Sequence, residues 1–366
     1  MGCLESKPAA AEEGPGKLKK AKTSSDAPAT SNTTAPAEKK EEPPKKKLDW
    51  RDFRFSNKKG ETLIKKPGEI NGQMFVVEDC EDCDIYICDF NAQVQLDYNK
   101  NCRIFIGPSE ASIFIRNCDD CKCILACQQY RARECTNCDT LLFSSTAPVV
   151  ETSKNMRFGC FRFAYFDLGK QFESAKLSVF NNKWSEIYDF TPADGNWSFL
   201  PLETKGSDLM KPLYDQPSFN MEEERGLKET DIVPFTVGLR KKEFEGQERC
   251  FILILPKKET EGLQMLTSIC EKGCNIIQTK EMKLDANKGK QMMDRGDSSL
   301  VGTITKGLIV GVEVAGSNAL EVAQGVAKDA GGQSVAYVSD SEGAASYEIN
   351  LFFDQWKDFV GHGITK

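Results

Sequence analysis

Short apolar runs recur between residues 75 and 160 with a spacing that barely changes. Four segments align without gaps on a shared cysteine: EDCDIYI, KNCRIFI, DDCKCIL and TNCDTLL. A weaker fifth copy, KNMRFGC, has Met156 in the same position. Because one coil of a solenoid uses about 20 residues, this period predicts a stack of coils. The aligned cysteines are Cys83, Cys102, Cys121 and Cys138, spaced 19, 19 and 17 residues apart.

A second short run precedes each aligned cysteine and begins eight residues upstream of it. Its apolar positions alternate as in a strand, not at the spacing of a helix. Turn residues such as Asn71-Gly72 and Gly107-Pro108 separate neighbouring runs. Strand following strand in this way predicts a parallel β-helix. The second runs are FVV, VQL, IFI and YRA, which begin at Phe75, Val94, Ile113 and Tyr130.

Alternation along each strand assigns its side chains to two faces. The more apolar row is expected to face inward: Phe75, Val77, Val94, Leu96, Ile113, Ile115, Tyr130 and Ala132. The other row contains Val76, Gln95, Phe114 and Arg131, with Gln129 and Arg133 on the same strand as Arg131. The same register puts Glu151 outward beside Arg133. Periodicity alone favours a solvated edge with a surface ion pair for this polar group, and a functional site is the alternative.

The cysteines allow two interpretations. Cys80/Cys83, Cys118/Cys121 and Cys135/Cys138 have the CxxC spacing of zinc sites. The second coil, however, has Asn99 at the position equivalent to Cys80, which would leave that coil one ligand short. A small apolar thiol that stacks coil upon coil needs no metal. The pattern therefore favours a structural ladder, with zinc as the alternative.

Beyond residue 247 the pattern changes to strands that alternate with helices. TEGLQMLTSICEKG and NALEVAQGVAKDAG have helical spacing, and a glycine ends each segment. ERCFILILP, CNIIQTKEMKL, GLIVGVEV and SVAYVSD are typical of strands. The order βαββαβ predicts a ferredoxin-like sheet with helices on one face. We therefore expect a mainly β chain with an added α+β domain: a tail over 1–47, a β-helix over 48–230 and a ferredoxin-like domain over 231–366.

Composition and charge narrow the function classes. At 366 residues the chain is long enough for two domains and a tail. A net charge of −7 and a pI of about 5.2 argue against a general nucleic-acid binder, because neutralising phosphates needs a large basic surface. The chain has fifteen cysteines, but its first residues form no apolar signal segment. We therefore expect these cysteines to be reduced thiols and not disulfides. No apolar run reaches the roughly 18 residues of a membrane span.

The first residues, MGCLES, match the pattern for lipid attachment. Removal of Met1 would expose Gly2 for myristoylation, and Ser6 fits the small hydroxyl position of the motif. One myristoyl chain binds a membrane only weakly, so a palmitoyl group on Cys3 would supply the second anchor. Residues 7–47 lack aliphatic bulk and predict a disordered, acylated tail. Membrane contact is therefore expected through the acyl chains.

Three segments carry a family resemblance: CQQYRAREC, SSTAPVVETSKNMRFGCF after it, and FNNKWSEIYDFTP at residues 180–192. They are similar to segments of the tubulin-folding cofactor C domain family. This resemblance implies a right-handed β-helix that activates Arf-like small GTPases in their GTP state by inserting an arginine finger. It also implies no cofactor, a place at the cytoplasmic face of the plasma membrane and the ciliary base, and a role in trafficking lipidated cargo. Tubulin is a further partner to consider, and a non-catalytic effector of the GTP state is the alternative function.

The resemblance also assigns roles to individual residues. Arg131, directly after QQY, corresponds to the finger. Gln129 would contact the catalytic machinery of the GTPase, and Glu151 would hold Arg131 in position. The expected partner-binding residues are Gln128, Arg133, Asp189 and Phe190.

The C-terminal domain resembles nucleoside diphosphate kinase in SDSEGAASYEINLFF, which begins at Ser339. An active kinase needs a nucleophilic histidine two residues before that serine, where this chain has Tyr337. The only histidine is His362, and ILPKK at residues 254–258 lacks the lysine of the family's IKPDG motif. Kinase activity is therefore not expected, and we assign this domain to packing or partner binding.

Overall fold

A computed structural model describes residues 49–211, 227–294 and 298–356 of the chain. The described residues form one compact unit. The predicted acylated tail, with Gly2 and Cys3, lies outside the described residues, as does His362.

The first part of the unit is the predicted parallel β-helix. Its strands belong to one sheet, and every neighbouring pair in that sheet is parallel. The fold class predicted for this domain is therefore confirmed. The strands are β1 (Arg54–Ser56), β2 (Thr62–Lys65), β3 (Phe75–Glu78), β4 (Asp84–Ile87), β5 (Val94–Asp97), β6 (Arg103–Arg116), β7 (Lys122–Arg133), β8 (Asp139–Ser144), β9 (Val149–Glu151), β10 (Met156–Cys160), β11 (Tyr188–Asp189) and β12 (Trp197–Phe199).

The strands stack into two long faces. The first face follows β1, β3, β5, β6, β7, β9 and β11, and the second follows β2, β4, β6, β7, β8, β10 and β12. Strands β6 and β7 are long enough to turn the corner and take part in both faces. The predicted turn at Gly107-Pro108 is therefore wrong, because this pair is a bend inside β6. A Cβ on Gly107 would lie 2.5 Å from the Asp89 carbonyl oxygen, which explains the glycine at this corner.

The β-helix extends beyond the repeat that is visible in the sequence. Strands β1 and β2 form a coil before Phe75, and β11 and β12 stack after the copy that contains Met156. These outer coils lack the aligned cysteine, so the repeat does not reveal them. One corner of the stack repeatedly needs a left-handed backbone, which Asn and Asp tolerate better than other side chains. That corner is made by Asp82, Asn101, Asp120, Asn137 and Asn155, all with φ between 48° and 56°.

The inward row and the cysteine ladder are both confirmed. All eight residues predicted to face inward are at most 2 % exposed. The aligned cysteines and Met156 are buried in the same core. Each of these thiols donates a hydrogen bond to the carbonyl two residues earlier, at 3.3–3.4 Å, as Cys83 does to Glu81 and Cys138 does to Thr136.

A second ladder shows how the coil with Asn99 is completed. The Asn99 amide donates to the Val77 carbonyl at 3.0 Å and accepts from the Cys80 backbone N–H at 3.1 Å. Ser153 occupies the same place three coils further on, and its hydroxyl accepts from the Cys135 N–H at 3.0 Å. Burial raises the pKa of the Cys102 thiol to about 12, so it remains protonated near neutral pH. Polar groups thus replace cysteine in this ladder by bonding the backbone.

The C-terminal domain has the predicted ferredoxin-like topology. Its strands are β13 (Glu248–Ile254), β14 (Asn275–Lys283), β15 (Leu308–Gly316) and β16 (Ala336–Val338). They are antiparallel in the order β14-β15-β13-β16, which is that of two interleaved β-α-β units. The helices in the described part of the chain are α1 (Leu168–Ser174), α2 (Gly206–Leu209), α3 (Glu259–Glu271), α4 (Ala286–Met292), α5 (Val301–Ile304), α6 (Ala319–Asp329) and α7 (Glu342–Ile349). Shorter 3₁₀ segments cover Trp50–Phe53, Gly238–Phe244, Ser298–Leu300 and Gly332–Ser334, and a π-helical segment covers Asn350–Gln355.

Both faces of the C-terminal sheet are covered. Ile252 of β13 points to one side, in a core shared with α3 and α6, whose positions and strand neighbours the sequence predicts. Phe251 points to the other side, against Phe352 and residues of α4 and α5. The expectation of helices on one face is therefore wrong. Of the helices on this second face, α4 and α5 have too few residues to show a helical period in the sequence.

Candidate functional site

The candidate site is the outward surface of the first face of the β-helix. Arg131 lies in a lateral row in which Phe114 is its neighbour on one side and Val149 on the other. Tyr188 follows Val149 in the same row. Arg131 and Tyr188 are exposed, whereas Phe114 and Val149 are partly covered by their neighbours. The predicted outward orientation of Arg131 is confirmed.

The backbone that carries Arg131 is fixed from below and from both sides. Its neighbours Tyr130 and Ala132 are buried in the core of the β-helix. The Tyr130 ring packs edge-to-face on Phe158, with ring centroids 5.6 Å apart. Strand β7 is paired with β6 on one side and β9 on the other. The guanidinium is therefore presented on a backbone with little freedom to lose on binding.

Arg131 differs from the other described arginines in having no partner. Within the described part of the chain its side chain makes no hydrogen bond, ion pair or aromatic stacking contact, whereas the side chain of every other arginine there makes at least one. A guanidinium offers five donors and remains charged at all physiological pH values. Arg131 is thus free to bind an anion from another molecule. The pairs made by its neighbours on this face are Arg54–Glu78 at 3.0 Å, Arg116–Asp97 at 2.6 Å and Arg133–Glu134 at 3.2 Å.

Gln129 precedes Arg131 on the outward side of β7. Its side chain is half-buried, and its Oε1 accepts a hydrogen bond from the Ser112 hydroxyl at 3.2 Å. Gln128 is exposed, and its carbonyl accepts from the Thr146 N–H at 3.0 Å. The side-chain amide of Gln129 is therefore oriented by the β-helix, while that of Gln128 projects freely at the corner of the strand.

Glu151 lies laterally opposite Arg133, as the register predicts. Arg133 itself pairs with its neighbour in sequence, Glu134. The lateral partner of Arg131 is Val149, so Glu151 is two residues further along β9 and diagonal to Arg131. The proposed role of Glu151 in holding Arg131 stays a prediction, and it would require the Arg131 side chain to lean along the strand.

Phe190 and Tyr188 form an exposed aromatic pair at the end of this face. Each side chain is 55 % exposed, and their rings are 6.1 Å apart in an edge-to-face arrangement. Sequence reasoning selected Phe190 and missed Tyr188. The signal was present in IYDF, because residues two apart on a strand share a face. Exposed aromatic pairs of this kind are typical anchors of protein interfaces.

Asp189 stands apart from this pair. It lies between the two aromatic residues in the sequence, but its side chain is half-buried. Both of its carboxylate oxygens accept hydrogen bonds from within the chain. Oδ1 accepts from the Thr191 N–H at 3.0 Å, and Oδ2 accepts from the Asn196 side chain at 2.9 Å. The structure therefore gives Asp189 a role in holding the turn after β11, and its contact with a partner stays a prediction.

The C-terminal domain contains a buried polar cluster around Tyr337. The Tyr337 hydroxyl donates to Glu348 Oε1 at 2.7 Å, and the Ser339 hydroxyl donates to Glu348 Oε2. Burial raises the pKa of Tyr337 above its usual value, so the phenol stays protonated. Burial also raises the pKa of Glu348, although the two hydroxyl donors oppose that shift. The phenol therefore serves the carboxyl group as a hydrogen-bond donor.

This cluster predicts a pH-dependent difference between the wild type and Glu348→Gln. The raised pKa means that the folded state favours the protonated carboxyl group of Glu348. The contribution of this group to stability is therefore complete below its pKa in the unfolded chain, about 4.3, and is lost as pH rises through its pKa in the folded protein. The amide mimics the protonated form. We expect the Tm of the wild type to fall relative to Glu348→Gln as pH increases from about 4 towards neutrality. Thermal unfolding followed by circular dichroism at several pH values measures this, and a pH-independent difference would contradict it.

The described residues contain no group of three or more His, Cys, Asp or Glu side chains arranged to hold a metal ion. In the same residues, no helix combines the length and apolarity required to cross a bilayer.

Comparison with known proteins identifies the domain that carries the site. The family described as Tubulin binding cofactor C matches residues 72–190. This range contains Arg131 and Glu151 and ends at Phe190, so the predicted resemblance to this family is confirmed. Tubulin-specific chaperone C of Mus musculus is 28 % identical over 184 residues, which cover 49 % of this chain and 54 % of that protein.

Similarity over a much longer range is found with the proteins named XRP2. Protein XRP2 of Danio rerio is 35 % identical over 346 residues, or 91 % of each chain. Protein XRP2 of Homo sapiens is 36 % identical and covers 85 % of this chain and 89 % of that protein. Among solved structures, the nucleoside diphosphate kinase of Aquifex aeolicus matches 29 % of this chain and 94 % of its own at 20 % identity and a TM-score of 0.25. By its similarity to the XRP2 proteins over nearly its whole length, this chain belongs to the XRP2 family.

Proposed function

We propose that the protein activates GTP hydrolysis by an Arf-like small GTPase and that Arg131 is the arginine finger that it supplies in trans. The observation that carries this proposal is the exposed guanidinium of Arg131, which has no partner among the described residues, on a face whose other described arginines are paired. The exposed rings of Tyr188 and Phe190 lie on the same face and supply apolar contact area for a protein partner. The partner is the GTP-bound form, since the finger acts on the γ-phosphate.

The chemistry follows from the charge of the transition state. Negative charge is spread over the oxygens of the transferring phosphoryl group, and a guanidinium placed against them in a nearly dry site offsets it. Fingers of this kind accelerate hydrolysis by about 10³ to 10⁵. In this proposal Gln129, whose Oε1 accepts a hydrogen bond from Ser112, would contact the catalytic machinery of the GTPase beside the finger. The activator itself needs no cofactor for this step.

We also propose that the protein acts at a membrane, through myristoyl and palmitoyl groups on Gly2 and Cys3. Two chains bind stably where one binds only weakly. The cytoplasmic face of the plasma membrane and the ciliary base are the proposed sites, with trafficking of lipidated cargo as the process served. Mass spectrometry of the native N-terminus is expected to find both acyl groups. A free N-terminal amine and a free Cys3 thiol would contradict this.

Single-turnover hydrolysis with a panel of GTP-loaded Arf-like GTPases tests the proposal. We expect at least one member to be accelerated by several orders of magnitude at saturating protein. Binding of the GTP state without acceleration would instead indicate a non-catalytic effector. Tubulin is a second candidate partner, since the matching family and one relative carry tubulin in their names. Co-sedimentation with tubulin, and competition for the same face by the GTPase, would distinguish that role.

A further inference from the structure

The residues from 180 to 190 connect the C-terminal domain to the candidate site. We call this stretch the connecting segment. At its start it is bonded to the ferredoxin-like sheet, in its middle it is anchored in the β-helix, and at its end it carries the exposed rings of Tyr188 and Phe190. One short segment therefore contacts both domains and also carries the two exposed rings of the candidate site.

At the C-terminal domain, the connecting segment bonds strand β14, which lies at one end of its sheet. Oδ1 of Asn181 accepts from the Glu281 N–H at 2.7 Å, and its amide donates to the Glu281 carbonyl at 3.3 Å. The Thr279 hydroxyl donates to the Phe180 carbonyl at 2.7 Å. The Phe180 ring is 2 % exposed and belongs to the core of the C-terminal domain. Asn181 thus satisfies both backbone groups of one β14 residue.

In the β-helix, Asn182 and Trp184 anchor the middle of the segment. Oδ1 of Asn182 accepts from the Ser144 N–H at 3.0 Å, and its amide donates to the Leu142 carbonyl at 3.2 Å. The Trp184 ring is 1 % exposed and lies in the core of the β-helix. Its indole N–H donates to the Thr236 hydroxyl at 3.2 Å. These contacts fix the path of the segment between its contact with the C-terminal domain and the two exposed rings.

The end of the segment joins the row that contains Arg131. The Tyr188 and Phe190 N–H groups donate to the carbonyls of Pro148 and Val150, each at 2.8 Å. Strand β9, which supplies Val150, is bonded directly to the strand of Arg131. Strand β11 has only two residues, and among the described strands it pairs with β9 alone, so the segment that precedes it also contributes to the position of the two rings.

We infer that the C-terminal domain positions the aromatic pair of the site through the connecting segment, and that Asn181 is the positioning residue. This inference rests on the proposed function. The C-terminal domain then contributes to recognition of the GTPase without touching it. Arg131 is held independently by the β-helix core, so Asn181 acts on affinity and not on the chemical step.

The test is the kinetics of Asn181→Ala, with the GTP-loaded GTPase as substrate. We expect KM for the GTPase to rise about five- to tenfold, which is in the range of coupling between separate sites, while the maximal rate stays within about twofold. Gln355→Ala is the matched control. It removes another side-chain amide of the same domain, one that bonds Asn350 at 2.8 Å and not the connecting segment, and it should leave both constants unchanged.

A double-mutant cycle separates positioning from a general structural effect. In a Tyr188→Ala/Phe190→Ala background, Asn181→Ala is expected to cause no further rise in KM, because the rings that it positions are absent. A full additional rise would overturn the inference. Thr279→Val approaches the same contact from the C-terminal domain by removing its hydroxyl bond to Phe180. It is expected to raise KM in the same direction if Asn181→Ala is too unstable to assay, and an unchanged KM would count against the inference.

The two proposals fail in different ways. If Arg131→Ala leaves hydrolysis as fast as wild type does, the proposed function is wrong. If Arg131→Ala is inactive but neither Asn181→Ala nor Thr279→Val changes KM, the proposed function stands and the positioning role is wrong.

Discussion

Replacing Arg131 with alanine is expected to remove the acceleration of GTP hydrolysis, a loss of about 10³ to 10⁵ in maximal rate. The reason is that no other described arginine of this face is free of an acidic partner, so none can take its place without first breaking an ion pair. Single-turnover hydrolysis at saturating protein measures the loss. Binding of the GTP state should persist, because Tyr188 and Phe190 remain.

Two further variants sharpen this prediction. Arg131→Lys keeps the charge but loses the planar donor pair, so we expect it to recover only a small part of the rate. Arg103→Ala removes an arginine of the second face, which pairs with Asp84, and should leave the maximal rate unchanged. Acceleration by Arg131→Ala equal to that of the wild type would exclude the finger role.

Phe158→Ala is expected to lower the free energy of unfolding by about 3 to 5 kcal/mol, the usual cost of removing a fully buried aromatic ring. Phe158 is 0 % exposed and supports the Tyr130 ring beneath the strand of Arg131. Phe190→Ala makes the same chemical change on the surface. We expect it to alter the free energy of unfolding by no more than about 0.5 kcal/mol, because the ring is largely in solvent.

Denaturant unfolding of the two variants measures the difference in stability. The hydrolysis assay tests the role of Phe190 in binding. Phe190→Ala should raise KM for the GTPase about tenfold or more, as expected for the loss of an aromatic anchor. If Phe190→Ala destabilised the protein as much as Phe158→Ala, the ring would be part of the core and not of a docking surface. If it changed neither property, Phe190 would have no role in binding.

The regular part of the fold could be predicted because it follows from patterns among residues that are close together in the sequence. The row that contains Phe75 and the row that contains Arg131 follow from two-residue alternation alone, and the coil length follows from the cysteine repeat. Asn99 was correctly placed in the ladder by its position in the repeat. The outer coils were missed because their residues keep the geometry of the stack without its cysteines.

The sequence also determined the residues at the centre of the site. Strand alternation turns Arg131 outward, and the resemblance to the cofactor C domain family selects it as the proposed finger. The same alternation argument could have selected Tyr188, which is two residues before Phe190 and so shares its face. Asp189 was selected beside Phe190, although only the structure reveals that its carboxylate bonds the turn.

What only the tertiary structure decided is which of these groups are free. Arg131 and Arg133 look alike in YRAR, and the difference between them is that Glu134 takes the second guanidinium and no described residue takes the first. The link from Asn181 to Glu281 joins residues 100 positions apart, so no local pattern could reveal it. Alternation along a strand is fixed by backbone geometry and can be read residue by residue. Pairing between distant side chains depends on how the coils and the second domain stack, and this is known only once they are folded together.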